Sequence, residues 1–233
     1  VFDPRQNGLE DDAKLHVEIN TVIIGRYRVL ATIGMGSFSR VFKCIDLESN
    51  QMVSVKVVRN EKDCFDAGLG EVKVLALLAK HDPDGRHARL QLLDYFYYEE
   101  HLLIVTELLR DSLFQLYRYL DATEPAGLRT YFTPNCLGRI THQLLTVLDF
   151  VHELGLKHCD VKPENVCISC MTRGEIKLID FGSSLLRYDA TNSYVQSRWY
   201  RAPEVILGLP WDSKVDMWSL GCMFAGMVTP CPP

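Results

Sequence analysis

The chain is predicted to be an α+β protein of two lobes, an antiparallel-sheet lobe followed by a mostly helical one. Three observations predict it. Strand-like segments crowd the stretch from Arg26 to Glu107. A helical period takes over after residue 110. No internal repeat and no regular strand–helix alternation runs along the chain, which argues against a doubly wound or barrel fold.

Residues 1–24 are polar and then mixed, a tail leading into an edge element. Arg26–Ile33, Phe38–Ile45 and Gln51–Val58 are rich in Val, Ile and Phe and partly alternate, as strands do. Turn formers separate them: Gly34, Gly36 and Ser37, then Asp46 to Asn50. Asp63–Lys80 carries Val72, Leu75, Leu78 and Ala79 at helical spacing, and Leu90–Tyr97 and Leu102–Glu107 read as two more strands. Asp111–Leu120 is a short amphipathic helix. Thr133 caps the next helix with Pro134 at its first position. Leu137, Ile140, Leu144, Val147, Leu148, Val151 and Leu154 form its apolar stripe, and Gly155 ends it. Val166–Ser169 and Glu175–Ile179 are short β-like runs. A last helix opens at Asp212 or Ser213 and runs through Trp218 to about Met227.

With 233 residues there is room for one large domain or two small ones. The change of period places an N-terminal extension at 1–24, the sheet lobe at 25–109 and the helical lobe at 110–233. Hydrophobic residues at 47% and charged residues at 24% make a globular composition, which excludes wholesale disorder and fibrous repeats. A net charge of −5 argues against the basic face of a nucleic-acid binder. Apolar runs such as Leu102–Val105 fall far short of the roughly 20 residues of a membrane span. The chain opens on Val1 without a secretory leader and is expected to be part of something longer. Its 8 cysteines are scattered rather than framed, which predicts a reduced, intracellular protein of the cytoplasm or nucleus.

Four motifs carry chemistry. Ile33-Gly34-Met35-Gly36-Ser37-Phe38-Ser39-Arg40-Val41 joins two strands, and glycines let backbone amides approach phosphate oxygens. By itself it reads as readily as a plain hairpin loop. A dinucleotide fold is disfavoured, because a strand follows the glycines. In Val53-Ser54-Val55-Lys56 the lysine shares a strand face with Ser54. It either faces solvent or needs an anion, and Glu71 in the following helix is the candidate. His158-Cys159-Asp160-Val161-Lys162-Pro163-Glu164-Asn165 places an acid, a lysine and an amide just after a helix. Asp160 suits a hydroxyl proton, Lys162 a phosphate, and Asn165 a metal through its carbonyl oxygen. In Asp180-Phe181-Gly182 the carboxylate suits Mg²⁺. Each motif alone is common; in this order and spacing, coincidence is negligible.

The ordered set resembles the protein-kinase signature over roughly residues 26–226. Cys159, Asp180-Phe181-Gly182-Ser183-Ser184 and Tyr194-Val195-Gln196-Ser197-Arg198 resemble the dual-specificity tyrosine-regulated kinase (DYRK) family. Val22–Tyr27, His101–Leu109 and Val205–Pro210 look closest to its plant and protist branch. The resemblance implies ATP and Mg²⁺ as cofactors and protein Ser/Thr side chains as substrates, with no nucleic acid and no membrane. It implies that Gly34 and Gly36 lie over the phosphates and that Lys56, paired with Glu71, holds the α- and β-phosphates. Asp160 is then the base and Lys162 steadies the γ-phosphate, while Asn165 and Asp180 bind Mg²⁺. Ile33, Val41, Ser54 and Cys167 enclose adenine, Glu107 to Leu109 offer it backbone groups, and Thr106 takes the gatekeeper position. Tyr194 is the phosphorylation site and Arg198 and Arg201 its clamp, so that Arg201→Ala and Tyr194→Phe should cost the same activity.

Departures from the family pattern carry information. Ser39 replaces the third loop glycine and Ser54 the usual alanine over adenine. Gly68 and Gly70 precede Glu71 in its helix, each costing on the order of 1 kcal/mol relative to Ala, so this helix is expected to be mobile. Cys159 stands where many kinases carry arginine. In Cys167-Ile168-Ser169-Cys170 the two thiols fall on opposite strand faces, which favours packing over a metal. The helical lobe is expected to be truncated, its last helix exposing Met223, Phe224 and Met227. Two functions remain open. One is an ATP-dependent Ser/Thr kinase that autophosphorylates tyrosine; the other is a silent kinase-like binding module or inactive fragment.

Overall fold

A computed structural model describes residues 15–123, 131–187, 189 and 194–228. Residues 1–14 of the expected extension lie outside the described residues. The described chain divides into two compact units. The first runs to Val72 and takes in Leu92–Leu108; the second takes Lys73–Gln91 and the chain from Leu109 onward.

The first unit is built on a six-stranded antiparallel sheet. Its strands are β1 (Val22–Ile23), β2 (Tyr27–Met35), β3 (Ser39–Asp46), β4 (Met52–Val58), β5 (Leu92–Tyr98) and β6 (His101–Glu107). Their spatial order is β1-β2-β3-β4-β6-β5. The alternation in β4 shows why the sequence takes this form. Val53, Val55 and Val57 point into a core with Tyr27, Val29, Phe42, Leu103 and Val105. Residues 15–24 belong to the same unit: Leu15 and Ile23 are buried in that core, and Leu15 accepts a hydrogen bond from Arg40. Residues 15–24 are thus anchored in the sheet unit by apolar side chains. The opposite face carries Ile104 and, with Val58 and Leu102, receives Cys64 and Val72 of α1 (Lys62–His81).

Gly68 and Gly70 both lie inside α1, and they are not equivalent. A Cβ at Gly68 would stand 3.0 Å from Leu102 Cδ2 and 3.1 Å from Val58 Cγ2, so glycine lets the helix approach the sheet. A Cβ at Gly70 would meet nothing within 4 Å. Gly70→Ala is expected to stabilise the protein by up to about 1 kcal/mol, and Gly68→Ala to destabilise it. Paired thermal melts check this; shifts of the same sign would contradict it.

In the second unit α2 (Leu113–Thr123) and α3 (Pro134–Glu153) precede the hairpin of β8 (Val166–Cys170) and β9 (Glu175–Leu178). Thr133 accepts from the Cys136 amide at 3.2 Å and Pro134 opens α3, as its sequence predicts. Ile140, Leu144, Val147, Leu148, Phe150 and Val151 are its buried face. Two-residue strands β7 (Leu156–Lys157) and β10 (Leu185–Leu186) pair with each other. They escaped the sequence reading because two residues carry no period. Helices α4 (Pro203–Ile206) and α5 (Lys214–Val228) close the described chain.

A single division between 109 and 110 needs correction. Residues 73–91 cluster with the second unit. Leu90 donates to the Leu178 carbonyl and Leu178 to the Ala88 carbonyl, while the His87 ring stacks on Phe150 at 4.0 Å. Met223 is also corrected: it is buried, at 1% exposure. Val215, Asp216, Ser219, Leu220 and Met223 share the inner face of α5 at helical spacing, which turns Met217 and Trp218 outward instead.

Candidate active site

In the first unit, β2 and β3 carry the glycine loop. Gly34 lies opposite Val41, where a Cβ would approach Val41 Cβ to 3.4 Å. Gly36 closes the turn, its amide donating to the Ser39 carbonyl at 2.9 Å. Ser39 sits inside β3 opposite Val58, so the third glycine position has become strand. Register places Val41 opposite Lys56, Lys56 opposite Ile104, and Ser54 opposite Thr106, so these side chains share one sheet face. Ile33 is exposed nearby in β2, and Thr106 is buried. Lys56 Nζ lies 2.7 Å from Glu71 Oε2, and the Glu71 side chain is only 4% exposed. The lysine expected either in solvent or against an anion has its anion. Glu107 ends β6.

In the second unit the loop after β7 carries Asp160. Its Oδ2 accepts from Lys162 Nζ at 2.8 Å and from Asn165 Nδ2 at 3.0 Å. Its Oδ1 accepts from Ser197 Oγ at 2.7 Å, and Ser197 accepts in turn from Lys162 at 3.0 Å. Asn165 Nδ2 also donates to the Asp160 carbonyl at 2.8 Å, which leaves its Oδ1 as an acceptor. Asp180 follows β9 with φ +60, at the head of a tight turn, Phe181–Ser183. Phe181 is buried edge-on against His158. Cys167 is buried in β8, its thiol pushed up to about 12 by burial, and Leu109 opens the later segment of the unit.

The left-handed backbone at Cys159, φ +63, is held from below. Asp216 of α5 is fully buried and accepts from the His158 and Cys159 amides at 2.8 Å each. His152 Nε2 lies 2.8 Å from the same carboxylate. Sequence reasoning passed over this residue, yet a signal exists: Asp216 is the single acid in the apolar run Val215–Val228, and a buried carboxylate there demands donors. Ser197 was quoted only as part of a motif, because its hydroxyl reaches Asp160 across 37 residues of chain.

The stretch from Tyr194 to Arg201 has its own cluster. The Arg201 guanidinium stands 4.0 Å from the Tyr194 ring centroid, and Tyr194 is 75% exposed. Arg201, and more weakly Arg198, hold the phenol below its ordinary pKa. Arg201 also donates to the carbonyls of Val195 at 2.8 Å and Gln196 at 2.7 Å. Gln196 is buried and left-handed, φ +69, and its amide bonds Ala202, Val215 and Ser219.

These arrangements meet a direct comparison. The model of the protein kinase domain matches residues 27–233. The chain belongs to the protein kinase family. Within that family the kinase domain is 39% identical over 207 residues to human "Dual specificity tyrosine-phosphorylation-regulated kinase 4", covering 89% of this chain and 38% of the relative. It is 37% identical over 226 residues to "DYRK-family kinase pom1" of Schizosaccharomyces pombe, covering 97% and 20%. It is 38% identical over 208 residues to "Dual specificity protein kinase YAK1" of Saccharomyces cerevisiae, covering 89% and 25%. The chain thus spans between a fifth and two fifths of the length of these relatives.

The donor set fits the metal the family implies. Mg²⁺ takes oxygen ligands, holds its waters tightly, and is bound by one or two carboxylates with substrate phosphates rather than by a protein cage. The Asp180 carboxylate and the acceptor oxygen of Asn165 are oxygen donors of that kind. Among the described residues no group of three His, Cys, Asp or Glu side chains could hold a metal ion by itself.

Proposed function

We propose that this kinase domain transfers the γ-phosphoryl group of ATP to Ser or Thr side chains of proteins, and to its own Tyr194. The observation that carries the reading is the hydroxyl already seated on Asp160: Ser197 Oγ donates to Oδ1 at 2.7 Å while Lys162 bridges both groups. An acceptor hydroxyl presented to the same oxygen meets a base whose second oxygen is pinned by Lys162 and Asn165. Lys162, so placed, steadies transferring phosphoryl oxygens. Lys56, oriented by Glu71, takes the α- and β-phosphates, and the backbone at Gly34 and Gly36 covers them. Asp180 and Asn165 would hold Mg²⁺, which supplies charge neutralisation at the phosphates when bound. Ile33, Val41, Ser54 and Cys167 would line adenine beside Thr106, with Glu107 and Leu109 giving backbone contacts. Positioning and neutralisation suffice, since this transfer asks for little covalent chemistry from the protein.

Protein substrates agree with the relatives' names. The cysteines at 44, 64, 136, 159, 167, 170 and 222 are free, which favours an intracellular setting. Among the described residues no helix is long and apolar enough to cross a membrane. The test is radiolabel transfer from ATP to casein together with a Mg-ATP thermal shift. A thermal shift without transfer would favour a silent binding module.

Phosphate on Tyr194 adds about −1.5 to −2 charges beside Arg201 and Arg198. Their positions at the ring support the clamp, but the two partners differ. Arg201 also holds the Val195 and Gln196 carbonyls, so Arg201→Ala is expected to reduce activity more than Tyr194→Phe, not equally. Kinetics of both variants, with mass spectrometry of protein made in bacteria, checks this. Full activity with Tyr194 unmodified would refute the clamp.

A further inference from the structure

One buried lysine beside the Asp160 loop is not used by the chemistry above. Lys157 directly precedes His158 and is 7% exposed. Lys157 buries its stem, as long basic side chains do, and carries its ammonium to a neighbouring ring. Its Nζ lies 4.9 Å from the centroid of the Trp211 ring. That ring packs, with Val195, on the buried cluster of Ala202, Val205 and Val215. Asp212 beside it is held below its ordinary value chiefly by the Lys214 amide, with Lys157 adding to the field. The backbone of Lys157 meanwhile pairs with Leu185, just beyond Phe181–Ser183. One residue thus joins the root of the Asp160 loop, the strand after Asp180, and the platform under Val195–Val205.

We infer that Lys157 is a positioning residue for the protein substrate: its ammonium pins Trp211, and Trp211 holds the Val195–Val205 segment in its receiving conformation. This rests on the kinase reading. That segment carries Ser197, which bonds Asp160, and Arg201, which stands against Tyr194. A hydrophobic side chain would fill the same space but bring no charge to the ring, so the lysine's presence points to the cation–ring contact. Such contacts change an equilibrium about twofold to thirtyfold, more when desolvated.

The experiment uses the full chain with Lys157→Met, Lys157→Arg, Trp211→Leu and the Met/Leu double variant. Casein is the acceptor. Lys157→Met is expected to raise KM for casein about fivefold and to leave KM for ATP within about twofold. Amides of residues 195–202 should exchange faster by a similar factor, and the 5-fluorotryptophan resonance of Trp211 should shift. Lys157→Arg should restore all three, and the double variant should be no worse than the worse single one. Unchanged casein KM and exchange in Lys157→Met would overturn the inference, as would equal losses for both substrates or no recovery with arginine. Should Lys157→Met fold poorly, Trp211→Phe weakens the same contact and is read the same way. If the unsubstituted chain transfers no phosphate, the functional reading falls, and exchange and fluorine spectra still decide whether Lys157 orders the segment.

Discussion

Replacing Asp160 by asparagine is expected to lower phosphoryl transfer by a factor of about 10² to 10⁴ while leaving Mg-ATP binding largely intact. The substitution preserves shape. It removes the oxygen proposed to take the hydroxyl proton and leaves Lys162 without its ion pair at 2.8 Å. The hydrogen bond from Asn165 to the Asp160 carbonyl persists, so the loop keeps its path. Asp180→Asn is the contrasting variant. Its loss falls on the carboxylate proposed for Mg²⁺, so transfer and the Mg-ATP thermal shift should fail together. Radiolabel transfer and thermal shift on both variants separate base from metal ligand. Near-normal turnover of the Asp160 variant would remove the base from the mechanism.

Asp216→Ala is expected to be the most destabilising single change near the site. The carboxylate is fully buried and serves the amides of His158 and Cys159 at 2.8 Å each, with His152 on the same side. Its removal leaves two buried N–H groups unsatisfied, at about 1–3 kcal/mol each. It also releases the left-handed backbone at Cys159, φ +63, which persists only where its surroundings hold it. A total of about 3–5 kcal/mol corresponds to a melting-point drop of roughly 6–20 °C for a chain of this size. Activity should fall with it, because Asp160 is the next residue along. Calorimetry against the unsubstituted chain decides; a drop under about 2 °C would mean that other groups carry the loop.

Much of the fold was legible because burial imposes period. The alternation of Val53, Val55 and Val57, and the stripe from Ile140 to Val151 behind a Thr-Pro cap, are local patterns that each decide one element. Where the pattern was read against an imagined partner it failed. Met223 was placed outside and is inside, because the phase of α5 is set by its own inward-facing Val215, Asp216 and Ser219, not by any helix beyond it. Gly68 was read as a source of motion from its propensity alone, although its missing Cβ admits Leu102 and Val58.

The residues proposed to carry the chemistry, Lys56, Glu71, Asp160, Lys162, Asn165 and Asp180, were singled out from the sequence alone, because their types and order are what phosphate and metal chemistry would ask for whatever the packing. Which groups hold them was decided only by tertiary structure. Ser197 on Asp160, Asp216 under Cys159, and Lys157 beneath Trp211 join positions 37, 57 and 54 residues apart. No local period records such pairs. Each depends on burial, and a polar group removed from water binds whatever donor, acceptor or ring the fold brings to it.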